Sequence, residues 1–564
     1  MYDLLIKNGR IVDGSGMPSY LGDVAIKDGK IVEIGHLDGE AKQVIDAKDR
    51  IVSPGFIDNH CHFDAQVTWD PLCTFSPSHG VTTVIFGNCS LGLAPVRPDD
   101  HEALAMMLSR VEAIPIESLR QGVEWGWETF PQYLDFIERR LGVNVGVLMG
   151  HSAVRRYVMG DDAYERETAT GDEMEAMKEI VRDGIRAGAL GLSFDRNKGH
   201  LDLEGRPIPG IVAPLEEIYD LASALRGLSA GVMQCGSAYP LEIREGFATK
   251  LGELSGRPVV YNQLVYSANS PDTWRQHLNI VEQGIKNGNR VYPVVNPRPQ
   301  ASRFTMKDGQ LFDRMRTWRT VMLGTPEEKL ASFTDPEMRQ TLHDEAVDDK
   351  DLPVTAQPIN WKGIFVTRAV LEENRWMQGK SIAQIAEELD KDVLYTLLDL
   401  VVEENLSTSF RNSQSGGDDE VMAEMLQSPY TMIGLSDAGA HVKFEAGYGY
   451  SSIVLGHWVR DQHAISLEEA IRKLTFMQAA MFGMSDRGLI RPGMAADIVV
   501  FDPEEIAAEE VDEAYDLPGG LMRLRQEARG VDCTIVNGQV LIEGGAHTGA
   551  YPGRVMRGYA AAAV

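Results

Sequence analysis

Apolar runs of five to seven residues, alternating over most of their length with longer stretches of helical periodicity, recur through the middle of this chain. No other feature constrains its fold as much. Eight such runs stand at 52–58, 81–86, 144–149, 189–193, 230–234, 258–264, 290–295 and 430–435. Runs this short and this apolar, bounded by turn residues, read as strands buried on both faces. Helical patterns fill the intervals at 130–141, 172–187, 215–228, 241–255 and 273–287. The stretch 172–187 places Met174, Met177, Ile180, Val181 and Ile185 on one stripe, as a helix packed on a sheet requires. Strand and helix in alternation make parallel βαβ units, and eight of them fit an α/β TIM barrel, (β/α)8, better than an open doubly wound sheet.

The two ends of the chain follow another pattern. Residues 1–50 alternate apolar and polar positions around Asn8-Gly9 and Asp28-Gly29, and 495–503 and 533–545 repeat this style, the latter around Asn537-Gly538. These are short-hairpin dipeptides. Strands at both termini predict one small β-domain built from 1–53 and 491–564, with the barrel at 54–490. The interval 296–429 breaks the βα rhythm and carries helical pieces at 382–390 and 392–404. It is an insertion between strands 7 and 8, either a lid over the barrel mouth or a cover for its rim.

Composition excludes several classes of function. Over 564 residues the net charge is −29 and the isoelectric point about 4.9, the opposite of a nucleic-acid footprint and unfavourable to anionic lipid. No apolar run approaches the ~20 residues of a membrane span, and the first residues lack the basic and apolar regions of a secretory leader. Five scattered cysteines do not form a disulfide framework. The expectation is a cytoplasmic protein with a small-molecule partner, and a homo-oligomer is compatible with the sequence.

In a barrel, chemistry sits at the C-terminal ends of the strands. Reading those ends in order gives His60 and His62, then Cys89, His151, Ser193, Gln234, Asn262 or Gln263, Asn296 and Asp437. On a strand, His60 and His62 share a face, which suits a first-row metal. Asp437 is a further ligand and a proton acceptor, or else the cap of a turn before Ala438-Gly439. Gln234, Asn262 and Gln263 are placed to hydrogen-bond a substrate amide. Arg155 and Arg156 read either as a carboxylate anchor or as rim charges. In the glycine-rich stretch 447–452, Tyr448 or Tyr450 packs on substrate. His200, His457 and His463 read as solvated or loop residues.

The motifs PGFIDNHCH (54–62), GNCSLGLAP (87–95), GHSAVR (150–155), GALGLS (188–193) and LSDAGAH (435–441) together resemble the amidohydrolase superfamily, in its D-aminoacylase or N-acyl-D-amino-acid deacylase branch. The resemblance implies a metal-bearing barrel, a β-sandwich formed by both chain ends, and a metal site of His60, His62, Cys89 and Asp437. It also places His151 and His441 where they would hold the substrate carbonyl or its oxyanion. The superfamily's histidines after the fifth and sixth strands have no counterpart in 231–240 or 259–267. One zinc ion per chain is therefore expected, with two left open. The implied activity is hydrolysis of a non-peptide amide by a metal-bound hydroxide, on N-acyl-D-amino acids. The alternatives are another C–N bond, such as a cyclic amide, carbamate or xenobiotic amide, and a non-catalytic scaffold.

Overall fold

Eight parallel strands pair in chain order into a single sheet: β1 (Phe56–Asp58), β2 (Val81–Phe86), β3 (Asn144–Gly150), β4 (Gly191–Phe194), β5 (Val232–Cys235), β6 (Val259–Asn262), β7 (Val291–Val295) and β8 (Met432–Ile433). The computed structural model describes residues 1–228, 230–236, 246–267, 270–298, 300–309, 311–312, 315–347, 359–415 and 418–557. Each predicted run overlaps one of these strands, and those at 144–149, 189–193 and 230–234 stop one residue short of the strand's end. Val81–Phe86 is buried along its whole length, as expected of a parallel strand covered on both faces.

The sheet curls on itself. Ile57, Ile85, Leu148, Leu190, Val232, Val260, Val294 and Met432, one from each βα repeat, meet in one apolar cluster. Such a cluster exists only if the strands surround a shared interior. Between β8 and β1 the seam is closed beyond the strands. Asp437 N donates to His60 O at 3.1 Å, and His62 N donates to Ala438 O at 2.7 Å. The Asn59 side chain takes the place of a ladder bond, accepting from Leu435 N at 3.2 Å and donating to Gln478 Oε1 at 2.9 Å. Gly434 is required there, because a Cβ on it would lie 2.2 Å from Asn59 Oδ1.

Helices return the chain between strands. Gly171–Ala187 starts at a reciprocal Thr170/Glu173 capping box and stops at Gly188, whose φ is 118°. Its stripe of Met177, Val181 and Ile185 is buried, while Met174 and Ile180 sit at its margin. The helix predicted over 241–255 is seen as Phe247–Ser255; residues 241–245 lie outside the described residues.

Strands from both chain ends share one sheet, joined where Ile51–Pro54 runs antiparallel to Ile498–Phe501. The Asp28-Gly29 and Asn537-Gly538 turns join the adjacent strands Tyr20–Lys27 to Lys30–Gly35 and Val531–Val536 to Gln539–Glu543. Asn8-Gly9 is not a hairpin. Tyr2–Ile11 runs straight through it with a register shift. A side chain on Gly9 would meet Val52 at 2.4 Å, so the glycine answers a close approach rather than a turn.

Within 296–429, Gln300–Phe304, Ser409–Ser415 and Ile364–Arg368 form a three-stranded antiparallel sheet. It packs with neighbouring helices around Trp318, Phe333, Leu397 and Phe410, a core separate from that of the barrel. Arg303 N reaches Phe444 O at 2.8 Å, tying the insertion to the segment that follows Asp437. Among the described residues no helix is long and apolar enough to cross a membrane.

Candidate metal centre

β1 ends at Asp58, two residues short of the first histidine. Strand alternation therefore does not bring the imidazoles together; the seam bonds from Asp437 and Ala438 do, by holding the backbone of 60–62. Asp58 supports the turn, accepting from Ser436 Oγ and from His60 N. Burial pushes its carboxyl up to about 7. Cys61 turns away, its thiol on Ile85 O at 3.2 Å.

Four donor atoms converge. His60 Nε2 lies 3.3 Å from His62 Nε2 and 3.4 Å from Cys89 Sγ. Asp437 Oδ1 lies 3.3 Å from His62 Nε2 and 3.7 Å from His60 Nε2. A tetrahedron with metal–ligand bonds of ~2.1 Å has edges of ~3.4 Å, which the His60–His62, His60–Cys89 and His62–Asp437 separations match, while Asp437 stands beside the mutually close group of His60, His62 and Cys89. The residues fit in chemistry as well as in spacing. Burial holds His60 down to about 3, keeping its imidazole neutral with a lone pair to give. Burial also pushes the Cys89 thiol up to about 12, so thiolate at neutral pH needs a cation beside it. Asp437 stays ionised: burial opposes its charge and the hydrogen bond with His62 favours it, with a net lowering.

The backbone is bent to present these groups. Cys89, Asp437 and His441 have φ of 54°, 57° and 49°, a left-handed conformation uncommon outside glycine and concentrated at functional sites. Asp437 Oδ2 faces His441 Nε2 at 3.8 Å, and both side chains are partly exposed.

The positions without the expected histidines hold an amide clasp. Gln234 accepts from Cys89 N at 3.2 Å and donates to Asn262 Oδ1. Asn262 Nδ2 lies 3.9 Å from Cys89 Sγ. Gln263 Oε1 is buried without a partner. Among the described residues, His60, His62 and Cys89 form the group able to hold a metal, with Asp437 beside them.

Three expected site residues lie elsewhere. His151 is fully buried with Nε2 on Glu217 Oε1 at 2.8 Å, which leaves it no opening toward a substrate carbonyl. Arg155, equally buried, bonds the same Glu217 oxygen and the carbonyls of Ala163, Arg166 and Glu167. Its charge is spent on structure rather than on a substrate carboxylate. Tyr448 packs edge-on against Phe75 and beside Arg523 in the core, so it does not line a pocket. Tyr450 is likewise buried, its hydroxyl on Ile57 O.

Other residues near the site escaped the sequence reading. Glu112 Oε1 lies 3.1 Å from His62 Nδ1. Asp195 pairs with His200 at 2.7 Å, and burial and then this carboxylate act in opposite directions on the imidazole, with a net rise. His200 is thus a largely buried residue and not a solvated one. Asp195 stands one residue past β4, and a strand ended at 193 rather than 194 leaves it off the list of strand ends. Glu112 follows the helix His101–Val111 and carries no local signal.

Comparison with known proteins agrees with this geometry. The amidohydrolase family profile matches residues 43–256 and 259–542. A D-aminoacylase of Alcaligenes xylosoxydans xylosoxydans is 27% identical over 98% of this chain and 97% of its own. A solved D-aminoacylase, described for its binuclear metal centre with one-metal activation and second-metal attenuation, superposes with a TM-score of 0.66 at 25% identity, covering 98% of this chain and 99% of its own. N-acyl-D-glutamate deacylase of Bordetella bronchiseptica, solved with zinc and a phosphonate mimic of the tetrahedral intermediate, shares the fold at a TM-score of 0.68 and 23% identity, over 99% of both chains. The chain belongs to the amidohydrolase family, in the branch that holds D-aminoacylase, and is a hydrolase of carbon–nitrogen bonds other than peptide bonds.

Proposed function

We propose that this protein is an N-acyl-D-amino-acid deacylase-like hydrolase working with one zinc ion held by His60, His62, Cys89 and Asp437. The convergence of those four donors, with the second Asp437 oxygen left facing His441, carries the reading. Two imidazoles, a thiolate and a carboxylate suit zinc. The amide clasp at Gln234 and Asn262, in place of histidines, favours one ion over the two of the D-aminoacylase centre.

When bound, zinc supplies Lewis acidity toward a carbonyl and toward water. The chain does the rest. Asp437 takes a proton from the attacking water on Oδ2 and passes it to the departing amine. His441, partly exposed beside that oxygen, donates to the carbonyl oxygen as charge develops on it. Gln234, Asn262 and Gln263 offer amide groups to the scissile amide. The same reading takes 1–53 and 491–564 as a small β-sandwich domain, 54–490 as the barrel and 296–429 as a cover over its mouth. It also includes a small-molecule amide substrate and a cytoplasmic setting, with all five cysteines free.

The test is release of free amine by zinc-reconstituted protein from a panel of N-acyl-D-amino acids, N-acyl-L-amino acids, cyclic amides and carbamates. Preferential cleavage of the D series supports the reading. Turnover confined to cyclic amides or carbamates would replace the substrate class, and no turnover with stoichiometric zinc bound would remove the activity.

A further inference from the structure

The left-handed backbone of His441, φ 49°, is disfavoured for any residue with a side chain and persists only where the surroundings fix it. What fixes it is the next residue. Val442 is buried, donates from N to Glu112 O at 3.3 Å and accepts at O from Leu524 N at 2.7 Å. Glu112 is the residue whose carboxylate stands at His62. Leu524 comes from the far end of the chain, in a hairpin of Asp512–Leu517 and Leu521–Arg525. These two strands form a sheet of their own, apart from the terminal sheet whose strands Ile498–Phe501 and Val531–Val536 flank them in sequence. The chain thus leaves the terminal sheet, crosses to the segment that carries His441, and returns.

Arg523 locks this arm in place. Its side chain is 4% exposed, and its Nε and Nη2 grip the two oxygens of Asp516 at 2.7 and 2.8 Å, the bidentate geometry that fixes a guanidinium best. Nη1 donates to Thr74 O at 3.2 Å, and the guanidinium lies 4.9 Å from the centre of the Phe75 ring. Thr74 O also accepts from Gln66, four residues past His62, at 3.0 Å. At the hairpin tip Ser118 Oγ donates to Pro518 O at 2.9 Å, and a Cβ on Gly122 would meet Pro518 at 2.6 Å. The tip therefore rests on the helix Ile116–Gly122. These contacts fall on the connections that follow β1, β2 and β8, the strand-end side where a barrel keeps its chemistry.

We infer that the hairpin 512–525 is a positioning arm for the reaction: Arg523 fixes Leu524, and Leu524, through Val442, fixes His441 opposite Asp437. Arg523 is accordingly a positioning residue supplied by the terminal β-strand region to a site built on the barrel. This inference rests on the reading of His441 as the group that holds the carbonyl oxygen. Phe444, three residues past His441, is buried in the core of the insertion and accepts from Arg303 N at 2.8 Å, so the strip is held from its other end as well. Releasing the arm lets His441 move while the zinc donors stay. A misplacement of about 1 Å at a catalytic group costs on the order of a hundredfold in rate.

The test compares zinc-loaded wild type, Arg523→Met, His441→Ala and the double variant on an N-acyl-D-amino acid. Arg523→Met is expected to lower kcat about 10–100-fold, with KM within about threefold and zinc content unchanged. On the His441→Ala background the same substitution should cost less than about twofold, because the residue it acts through is gone. Arg487→Met is the control. Arg487 is equally buried and pairs with Asp497, which bonds Asn144 at the start of β3, the opposite end of the barrel. It is expected to lower the thermal midpoint and leave kcat unchanged. Equal kcat losses from the two arginine variants, additive losses in the double variant, or an Arg523→Met kcat within about twofold of wild type would overturn the inference. Should Arg523→Met not fold, Asp516→Asn carries the same comparison, since its carboxylate is 44% exposed and its loss spares the core. Limited trypsin digestion separates the arm from the activity. Faster cleavage after Lys443 in Arg523→Met than in Arg487→Met, with no turnover by wild type or full activity in His441→Ala, keeps the arm while the catalytic reading of His441 falls. Equal cleavage in both removes the arm.

Discussion

Glu112 Oε1 and His62 Nδ1 lie 3.1 Å apart, each side chain 2% exposed. The negative carboxylate beside Nδ1 favours a proton on that nitrogen by charge rather than through a well-formed hydrogen bond, so that Nε2, the nitrogen that faces His60 and Asp437, is the one to serve as lone-pair donor to a metal. Glu112→Gln keeps the shape but removes that charge. It is expected to lower zinc affinity by about 10–100-fold, read by competition with a chromophoric chelator. Unchanged affinity would make Glu112 a space-filling residue.

Zinc content of the purified protein is expected to be about one ion per chain, by elemental analysis. The reason is the Gln234–Asn262–Cys89 clasp, which occupies the place of the missing histidines with groups already bonded to one another. Two tightly held ions, resistant to mild chelation, would contradict it.

Cys89→Ala removes a ligand and little volume. Zinc occupancy should fall well below stoichiometric while far-ultraviolet circular dichroism stays that of wild type. Full occupancy with unchanged activity would reduce Cys89 to a packing residue.

Asp437→Asn preserves size and an oxygen but cannot accept a proton. Loss of general-base catalysis costs about 10²–10⁴-fold, so the hydrolysis rate should drop at least about a hundredfold with little change in the thermal midpoint. A variant within a few-fold of wild type would remove Asp437 as the base and make His441 the next residue to test.

Lys473 Nζ, fully buried, donates to the carbonyls of Leu426, Ser428 and Thr431 beside β8. Lys473→Met fills the space and takes the donor away from Leu426 O and Thr431 O, whereas Ser428 O keeps its bonds from Thr431 N and Oγ1. The expected loss is about 2–4 kcal/mol in urea unfolding, from one to three kcal/mol per unsatisfied buried group with partial relaxation. A loss under about 0.5 kcal/mol, the scale of an ordinary surface change, would mean that solvent reaches the carbonyls.

Local sequence determined the strands and helices of the barrel. Period and boundary residues are properties of short segments, so VTTVIF at 81–86 and the Thr170-capped helix are legible without any partner. The same holds for His60, His62, Cys89 and Asp437, because a strand end is marked by where an apolar run stops. What tertiary structure alone decided is which polar groups became spent. His151 and Arg155 looked available until Glu217, more than sixty residues away, took both. Tyr448 was drawn into the core by Phe75 and Arg523, and Glu112 reached His62 across fifty residues of chain. Asn8-Gly9 has the composition of a hairpin but is held straight by pairing with Tyr20–Lys27 and by the approach of Val52. A side chain's chemistry is written in its own residue, whereas its availability depends on the charges and donors that folding brings within about 3 Å of it, and no local pattern encodes those.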